Sequence, residues 1–181
     1  MKKAAILLFY IGITCINANS QLYMTRTGMI GFYSKTPMED IKPENNQVYA
    51  AIDAGKKNIA ISLLVKSFLF TKELMQEHFN ENYIESDKFP KANFNGAYTG
   101  EVTLHKEAVY PVTVKGNLTL HGITKAITVP ATLEVKGGKL LGKTHFIVRP
   151  EDYNILIPSL VRDKIAKEMS VVVNIECNPV K

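Results

Sequence analysis

Four histidines lie beyond the first twenty residues, and histidine is the side chain most often used for proton transfer or metal binding near neutral pH. They are His78, His105, His121 and His145. His78 precedes Glu81 at a helical spacing, but two ligands from one helix make no recognisable metal site without a third from elsewhere. His121 stands before Gly122 at a predicted turn, where hydrogen bonding within the turn is its expected role. The histidines therefore predict neither a catalytic base nor a metal centre.

Nucleophilic chemistry has equally little support in the sequence. The chain contains no Gly-x-Ser-x-Gly motif, no His-Glu-x-x-His motif and no glycine-rich phosphate loop. Glu151 and Asp152 are adjacent carboxylates, yet neighbours in a loop usually point apart, so they predict no glycosidase pair. Cys177 occupies the last apolar position of an alternating segment, which predicts a buried thiol rather than a reactive one. We predict no catalytic residue, no metal and no cofactor.

The first twenty residues have the features of a secretory leader. Two lysines precede an apolar run over residues 4–16, and Ala18-Asn19-Ser20 suits cleavage before Gln21. The apolar run is shorter than the roughly 20 residues of a membrane-spanning helix, and no later stretch of that length lacks charges. We predict a signal peptide over residues 1–20, a mature domain over residues 21–181, and a periplasmic or secreted protein without a transmembrane segment.

Charge and cysteine content limit the partners and modifications of this domain. Loss of the leader's two lysines lowers the formal net charge from +5 to +3, and the basic residues form only pairs such as Lys56-Lys57. We therefore exclude nucleic acid as the main partner. Gly12 and Thr14 are poorly suited to a lipoprotein signal, so we expect Cys15 to remain unmodified. The single mature cysteine excludes an intrachain disulfide, and the sequence leaves monomer and homodimer both open.

Alternating apolar and polar residues, the pattern of strands with one buried face, run through most of the mature chain. The clearest segments are residues 59–65, 112–121, 127–135 and 169–177. Further candidate strands are residues 22–25, 29–34, 47–53, 93–99 and 141–148. Gly137-Gly138 predicts a tight hairpin turn between two of the strands. About eight or nine strands without long helices predict a closed antiparallel barrel or a two-layer sandwich.

One segment departs from this alternation. Over residues 71–82, Leu74, Met75 and Phe79 recur at a spacing of one to four residues among charged side chains, which predicts a short amphipathic helix. Thr71 is the expected N-cap. Because a closed barrel needs a cover over an apolar mouth, we predict that this helix is a lid. A second helical turn or two is expected within residues 159–167.

A barrel of about eight strands either fills its interior with side chains or leaves room for one ligand. We predict that the apolar side chains of strands and lid line such a pocket and that Tyr153 or Asp152 contributes a hydrogen bond to a head group. The candidate ligand-binding residues are Ile61, Leu63, Phe68, Phe70, Leu74, Met75, Phe79, Phe94, Leu118, Leu120, Phe146 and Tyr153. A continuous interior void lined by these residues would support binding, whereas a filled core would exclude it.

Several short motifs resemble those of the YceI-like family. Residues 116–125 read GNLTLHGITK and are followed by Ile127 and Val129-Pro130, which is similar to the signature hairpin of that family. Supporting motifs are Lys66-Ser67-Phe68, Met75 with His78-Phe79, Phe89-Pro90 with Phe94, and Asp152-Tyr153-Asn154-Ile155 with Pro158. The resemblance extends over residues 28–176, nearly the whole mature chain.

This resemblance implies an all-β fold with a short helix: a closed antiparallel lipocalin-like barrel of about eight strands with the helix near its mouth. It also implies a polyisoprenoid or another long amphiphilic lipid in an elongated cavity, carried by a periplasmic or secreted protein that is not an enzyme. Two alternatives stay open. One is an enzyme acting on a barrel-bound lipid or quinone through His121 or Asp152, and the other is a structural envelope barrel with a filled core.

Overall fold

The computed structural model describes residues 21–180, which are mostly strand. The predicted signal peptide and Cys15 lie outside the described residues, so both stay predictions. Within the described range the chain forms one short α-helix, α1 (Glu73–His78), and nine strands. The strands are β1 (Leu22–Lys35), β2 (Asp40–Ile41), β3 (Glu44–Asp53), β4 (Asn58–Leu64), β5 (Lys91–Thr99), β6 (Ala108–Leu120), β7 (Ile123–Lys136), β8 (Lys139–Val148) and β9 (Met169–Pro179).

Eight of these strands close into an antiparallel barrel. Neighbours follow the order β1, β3, β4, β5, β6, β7, β8, β9, and β9 pairs back onto β1 from Tyr23 opposite Pro179 to Tyr33 opposite Ser170. The extra strand β2 pairs with the end of β1. Each of the eight strands therefore pairs with a neighbour on both sides over at least part of its length, and the alternating pattern turns one face of every strand inward. The predicted barrel with a short helix is confirmed, and the sandwich is excluded.

Two hairpin turns hold the β6, β7 and β8 strands in register. Gly137 and Gly138 have φ values of +56° and +73° between Lys136 and Lys139, as the sequence predicts. His121 and Gly122 likewise have φ values of +49° and +74°. Positive φ at both central residues is the backbone twist that suits a two-residue hairpin, and glycine takes it without strain.

The two ends of the barrel differ in how they are filled. We call the end of the barrel that carries the β7–β8 hairpin turn the lower end. Three side chains there, Ile52, Leu140 and Cys177, are completely buried in the main hydrophobic core. At the upper end the strands are joined by long connections over residues 36–43, 65–90 and 149–168. Burial raises the pKa of the Cys177 thiol to about 11. The thiol is therefore protonated at neutral pH, as expected for a structural residue.

The helical segment is shorter than the predicted 71–82. The α-helix covers only Glu73–His78 and continues as a π-helical turn over Phe79–Tyr83. Thr71 is not its N-cap, because Lys72 holds that position and makes no side-chain hydrogen bond there. The chain before the helix is held by Gln76, whose Oε1 accepts a hydrogen bond from the backbone N–H of Phe70 at 3.1 Å. In the second predicted helical region, 159–167, only Ser159–Val161 forms a 3₁₀ turn.

Candidate functional site

The upper half of the barrel encloses a cavity of about 520 Å³. Its wall is almost entirely apolar and is formed by inward side chains from the barrel strands, from α1 and from the 149–168 connection. On β6 it extends from Val114 to Leu120, about 20 Å of strand at the usual rise per residue. A cavity of this size lies within the roughly 300–1,000 Å³ range of small-molecule sites. The barrel is therefore hollow rather than filled.

Eleven of the twelve predicted ligand-binding residues line this cavity. They are Ile61, Leu63, Phe68, Phe70, Leu74, Met75, Phe79, Phe94, Leu118, Leu120 and Phe146. Tyr153 does not line it. Its side chain is buried beside Lys125, whose Nζ lies 6.0 Å from the ring centroid. Direct contact between the eleven residues and a ligand stays a prediction.

A pair of glycines keeps the middle of the cavity open. Gly96 on β5 lies opposite Gly116 on β6, and both face inward. A Cβ at either position would lie 2.8 or 2.7 Å from Cζ of Phe94 and closer still to the opposite backbone. Because neither glycine has a side chain, the Phe94 ring lies against the wall at these two positions. Larger residues would push the ring into the lumen.

The floor of the cavity is built around Ile175. Its side chain lies between two inward glycines, Gly28 and Gly142, where a Cβ would approach Ile175 to 2.9 Å in each case. Ile175 and Leu133 line the cavity and also belong to the main core. The barrel thus changes from hollow to solid at this level.

Four phenylalanines form the upper wall beneath the helix. Phe32 lies 5.2 Å from Phe68, 6.1 Å from Phe70 and 5.5 Å from Phe79, measured between ring centroids. Phe70 and Phe79 are 5.1 Å apart. These distances are typical of favourable aromatic pairs. Sequence reasoning missed Phe32, although it alternates with Ile30 and Ser34 on the inward face of β1. Phe79 is therefore part of the packed wall as well as of the lid.

Specific contacts hold the lid segment to the barrel. Backbone N–H groups of Glu44 and Leu69 donate to each other's carbonyls at 3.3 and 2.9 Å. Lys72 forms an ion pair with Glu39 at 3.0 Å. The buried Asn45 donates from Nδ2 to the carbonyl of Leu64 at 2.9 Å, which fixes the chain where it leaves β4. The lid therefore has defined anchors at its start.

His121 joins the upper connections to one another. Its Nδ1 lies 2.9 Å from the carbonyl oxygen of Tyr153 and its Nε2 lies 2.8 Å from a carboxylate oxygen of Glu85. Both partners are acceptors, so the ring donates both bonds only when both nitrogens carry protons. The hydrogen bond from His121 lowers the pKa of Glu85. Asp152 accepts from Lys125 at 2.8 Å, which likewise lowers its pKa. The predicted structural role of His121 fits this geometry.

The barrel wall is incomplete on one side of the cavity. Pairing between β7 and β8 ends at Ala131 and Thr144, and beyond them each strand pairs only with its other neighbour. Thr144 Oγ1 donates to the Pro130 carbonyl at 2.7 Å and holds the strands together at this point. Ile127 and Phe146 line the cavity on opposite sides of the gap. Apolar side chains thus replace backbone pairing along part of the wall.

The sequence and the fold both have known relatives. A family model for the YceI-like domain matches residues 19–177. The chain belongs to the YceI-like family. The resemblance found in the sequence motifs is thereby confirmed.

Solved structures of low sequence identity share the YceI-like fold. A polyisoprenoid binding domain from Saccharophagus degradans has 12% identity and a TM-score of 0.76, covering 88% of this chain and 99% of its own. BcnA from Burkholderia cenocepacia has 15% identity and a TM-score of 0.69, covering 83% and 95%. The YceI protein of Campylobacter jejuni has 12% identity and a TM-score of 0.56, covering 99% and 94%. No curated protein matches the chain.

Few charges face the cavity of this YceI-like barrel. Glu39 is paired with Lys72, and Lys143 lies 3.8 Å from Glu134. Lys164, at the mouth, has no ion pair within residues 21–180. Over the same residues no group of three or more histidine, cysteine, aspartate or glutamate side chains could hold a metal ion. The site is suited to an apolar chain whose polar end stays at the mouth.

No helix among residues 21–180 has the length and apolar character needed to cross a membrane.

Four isoleucine and valine residues of the 149–168 connection also line the cavity: Ile155, Ile157, Val161 and Ile165. They were missed because this connection has neither helical nor strand periodicity. An excess of isoleucine and valine in an irregular segment is the signal that could have identified them.

Proposed function

We propose that this protein binds and carries a polyisoprenoid or another long-chain amphiphilic lipid, and that it does so in the periplasm or outside the cell. The observation that carries the proposal is the hollow apolar upper half of the barrel. The predicted leader supports export, and the similarity to a polyisoprenoid binding domain supports an isoprenoid as the ligand.

The energetics of such binding need no polar recognition motif. About fifteen buried methylene groups contribute roughly 12 kcal/mol at about 0.8 kcal/mol each. Ordering the ligand costs at least about 4 kcal/mol. At most about 8 kcal/mol remains, which corresponds to a dissociation constant of about 1 μM or weaker. A carrier that must also release its lipid is well served by that affinity.

The enzyme alternative has weaker support. His121 and Asp152, the residues that it would use, do not line the cavity, and both already form hydrogen bonds to neighbouring protein groups. A general acid or base must reach the reacting group directly or through one water. We therefore propose binding without catalysis. The filled structural barrel is disfavoured by the cavity itself.

Native mass spectrometry of protein purified without detergent from its own host tests the proposal. We expect a mass excess that disappears on denaturation, and lipid extraction followed by chromatography should identify a long-chain amphiphile in near-stoichiometric amount. Recovery of the bare polypeptide mass, together with no binding of any long-chain lipid added afterwards, would refute it. Peptide sequencing of the same sample checks whether the chain begins near Gln21.

A further inference from the structure

The rim of the cavity carries unusually exposed leucines. Leu160 is 92% exposed and Leu156 is 79% exposed, both in the 149–168 connection. The residue after each leucine, Ile157 or Val161, lines the cavity. Large apolar side chains in open solvent beside an apolar mouth are typical of an interaction surface.

The later part of the same connection, residues 160–167, is basic, with three cations and one carboxylate. Arg162, Lys164 and Lys167 follow Leu160 within seven residues and are exposed. Asp163 is the one carboxylate among these three cations, and Glu168 is paired with Arg149 at 2.6 Å. At the start of the connection Asp152 is paired with Lys125 and Glu151 is exposed, so the basic surface is confined to residues 160–167. Leucines next to lysine and arginine are the combination that binds an anionic bilayer surface, where the leucines enter the interface and the cations meet the head groups.

From this surface we propose that the protein docks mouth-first on an anionic lipid bilayer, through Leu156 and Leu160 with Arg162, Lys164 and Lys167. This inference rests on the proposed lipid-carrier function, because docking there would place the cavity mouth against the source of its ligand. The connection is held in position for this contact, since the backbone N–H of Ala166 donates to the fully buried Ser34 hydroxyl at 2.8 Å.

A second copy of the chain fits this surface less well than an anionic bilayer does. A twofold interface brings the same patch of both copies together, so three cations would face three cations around a small apolar centre. Like charges opposed across an interface are costly. The other side of the mouth is unsuited to an anionic bilayer, because α1 carries Glu73 and Glu77 next to Leu74. The basic residues 160–167 are therefore the contacting side.

Vesicle co-sedimentation tests the docking directly. Protein beginning at Gln21 is mixed with vesicles of equal parts phosphatidylglycerol and phosphatidylcholine, or of phosphatidylcholine alone. We expect the Leu156→Ser, Leu160→Ser variant to lose roughly tenfold in partitioning per leucine. The Arg162→Gln, Lys167→Gln variant should lose roughly fivefold per charge on the anionic vesicles and little on the neutral ones. Val109→Ser, an exposed apolar residue at the lower end, is the matched control.

A second measurement separates this inference from the carrier function. Binding of a fluorescent fatty acid in solution without vesicles reports on the cavity alone. The leucine variant should bind this fatty acid with the same affinity as the unaltered protein. If the leucine variant binds both the fatty acid and the vesicles as the unaltered protein does, the docking surface is wrong and the carrier function is unaffected. Vesicle binding that depends on the leucines, with no fatty acid bound, would overturn the carrier function instead. If the unaltered protein is a dimer and the leucine variant is a monomer, the surface binds a second copy of the chain instead of a bilayer, and the docking proposal is wrong.

Discussion

Filling the cavity from its wall should abolish lipid binding without unfolding the barrel. Ala131 is suited to this test because its side chain faces the cavity from β7, opposite Thr144, at the point where pairing between β7 and β8 ends. Ala131→Phe places a phenyl ring in the lumen above the floor formed by Leu133 and Ile175. The variant changes neither the lid nor the mouth, so a lost affinity would report the interior itself.

The size of the effect follows from the volume that the ring takes. A phenyl ring excludes about five carbon groups of a ligand chain, and at about 0.8 kcal/mol each this removes roughly 4 kcal/mol. That loss corresponds to about a thousandfold weaker dissociation constant. A ligand that slides toward the mouth to avoid the ring recovers part of this energy, so we expect a weakening of at least about tenfold.

Displacement of an environment-sensitive lipophilic dye measures this affinity cleanly, because the chain contains no tryptophan to interfere with the signal. Thr128→Phe is the matched control: it adds the same ring to the same strand at an exposed position. The thermal midpoint of Ala131→Phe should not fall, since the ring enters an existing void. A folded Ala131→Phe protein that binds lipid as tightly as the Thr128→Phe protein would refute the reasoning.

Three further changes have defined outcomes. Gly122→Val should lower the free energy of unfolding by about 2 kcal/mol or more. The reason is that residue 122 has a φ of +74° and that a Cβ there would lie 2.6 Å from Cε1 of Phe89. An unchanged midpoint of urea unfolding would contradict this. Met75→Asp puts a charge at the cavity wall and should reduce co-purified lipid with strand circular dichroism intact, whereas Glu77→Gln on the solvent side should not. Cys177, with its pKa raised to about 11, should react with Ellman's reagent at pH 8 only after denaturation, and rapid reaction of the native protein would show that it is accessible.

Much of the barrel could be predicted because strand signals are local. Alternation in residues 112–121 and 127–135 fixes which face is inward, and Gly137-Gly138 demands a turn that few other residues allow. Long strands with period-two patterning cannot slip by one residue without exposing their apolar set. The inward positions along such strands, including Leu118 and Phe94, follow directly from this constraint.

The helix boundaries and the remaining pocket residues depend on tertiary contacts and could not be predicted in this way. Phe79 appeared as the end of a helical stripe, yet its packing against Phe32, Phe68 and Phe70 accompanies a π-helical turn there. Tyr153 was assigned to the pocket from its type alone. The residue instead ends a 3₁₀ turn, Pro150–Tyr153, and does not line the cavity.

The residues that identify the family do two kinds of work. Some of them, such as Phe94, Leu118 and Leu120, line the cavity. Others, namely His121, Lys125 and Asp152, lie outside the cavity wall and join the β6–β7 hairpin to the upper connections through directional hydrogen bonds. Such bonds require particular side chains. The cavity wall requires only apolar residues of suitable volume, with glycine where Phe94 must lie against the wall. Changes in those volumes would alter the length and shape of the lumen without disturbing the bonds that hold the rim. A YceI-like sequence therefore specifies its fold more closely than its lipid.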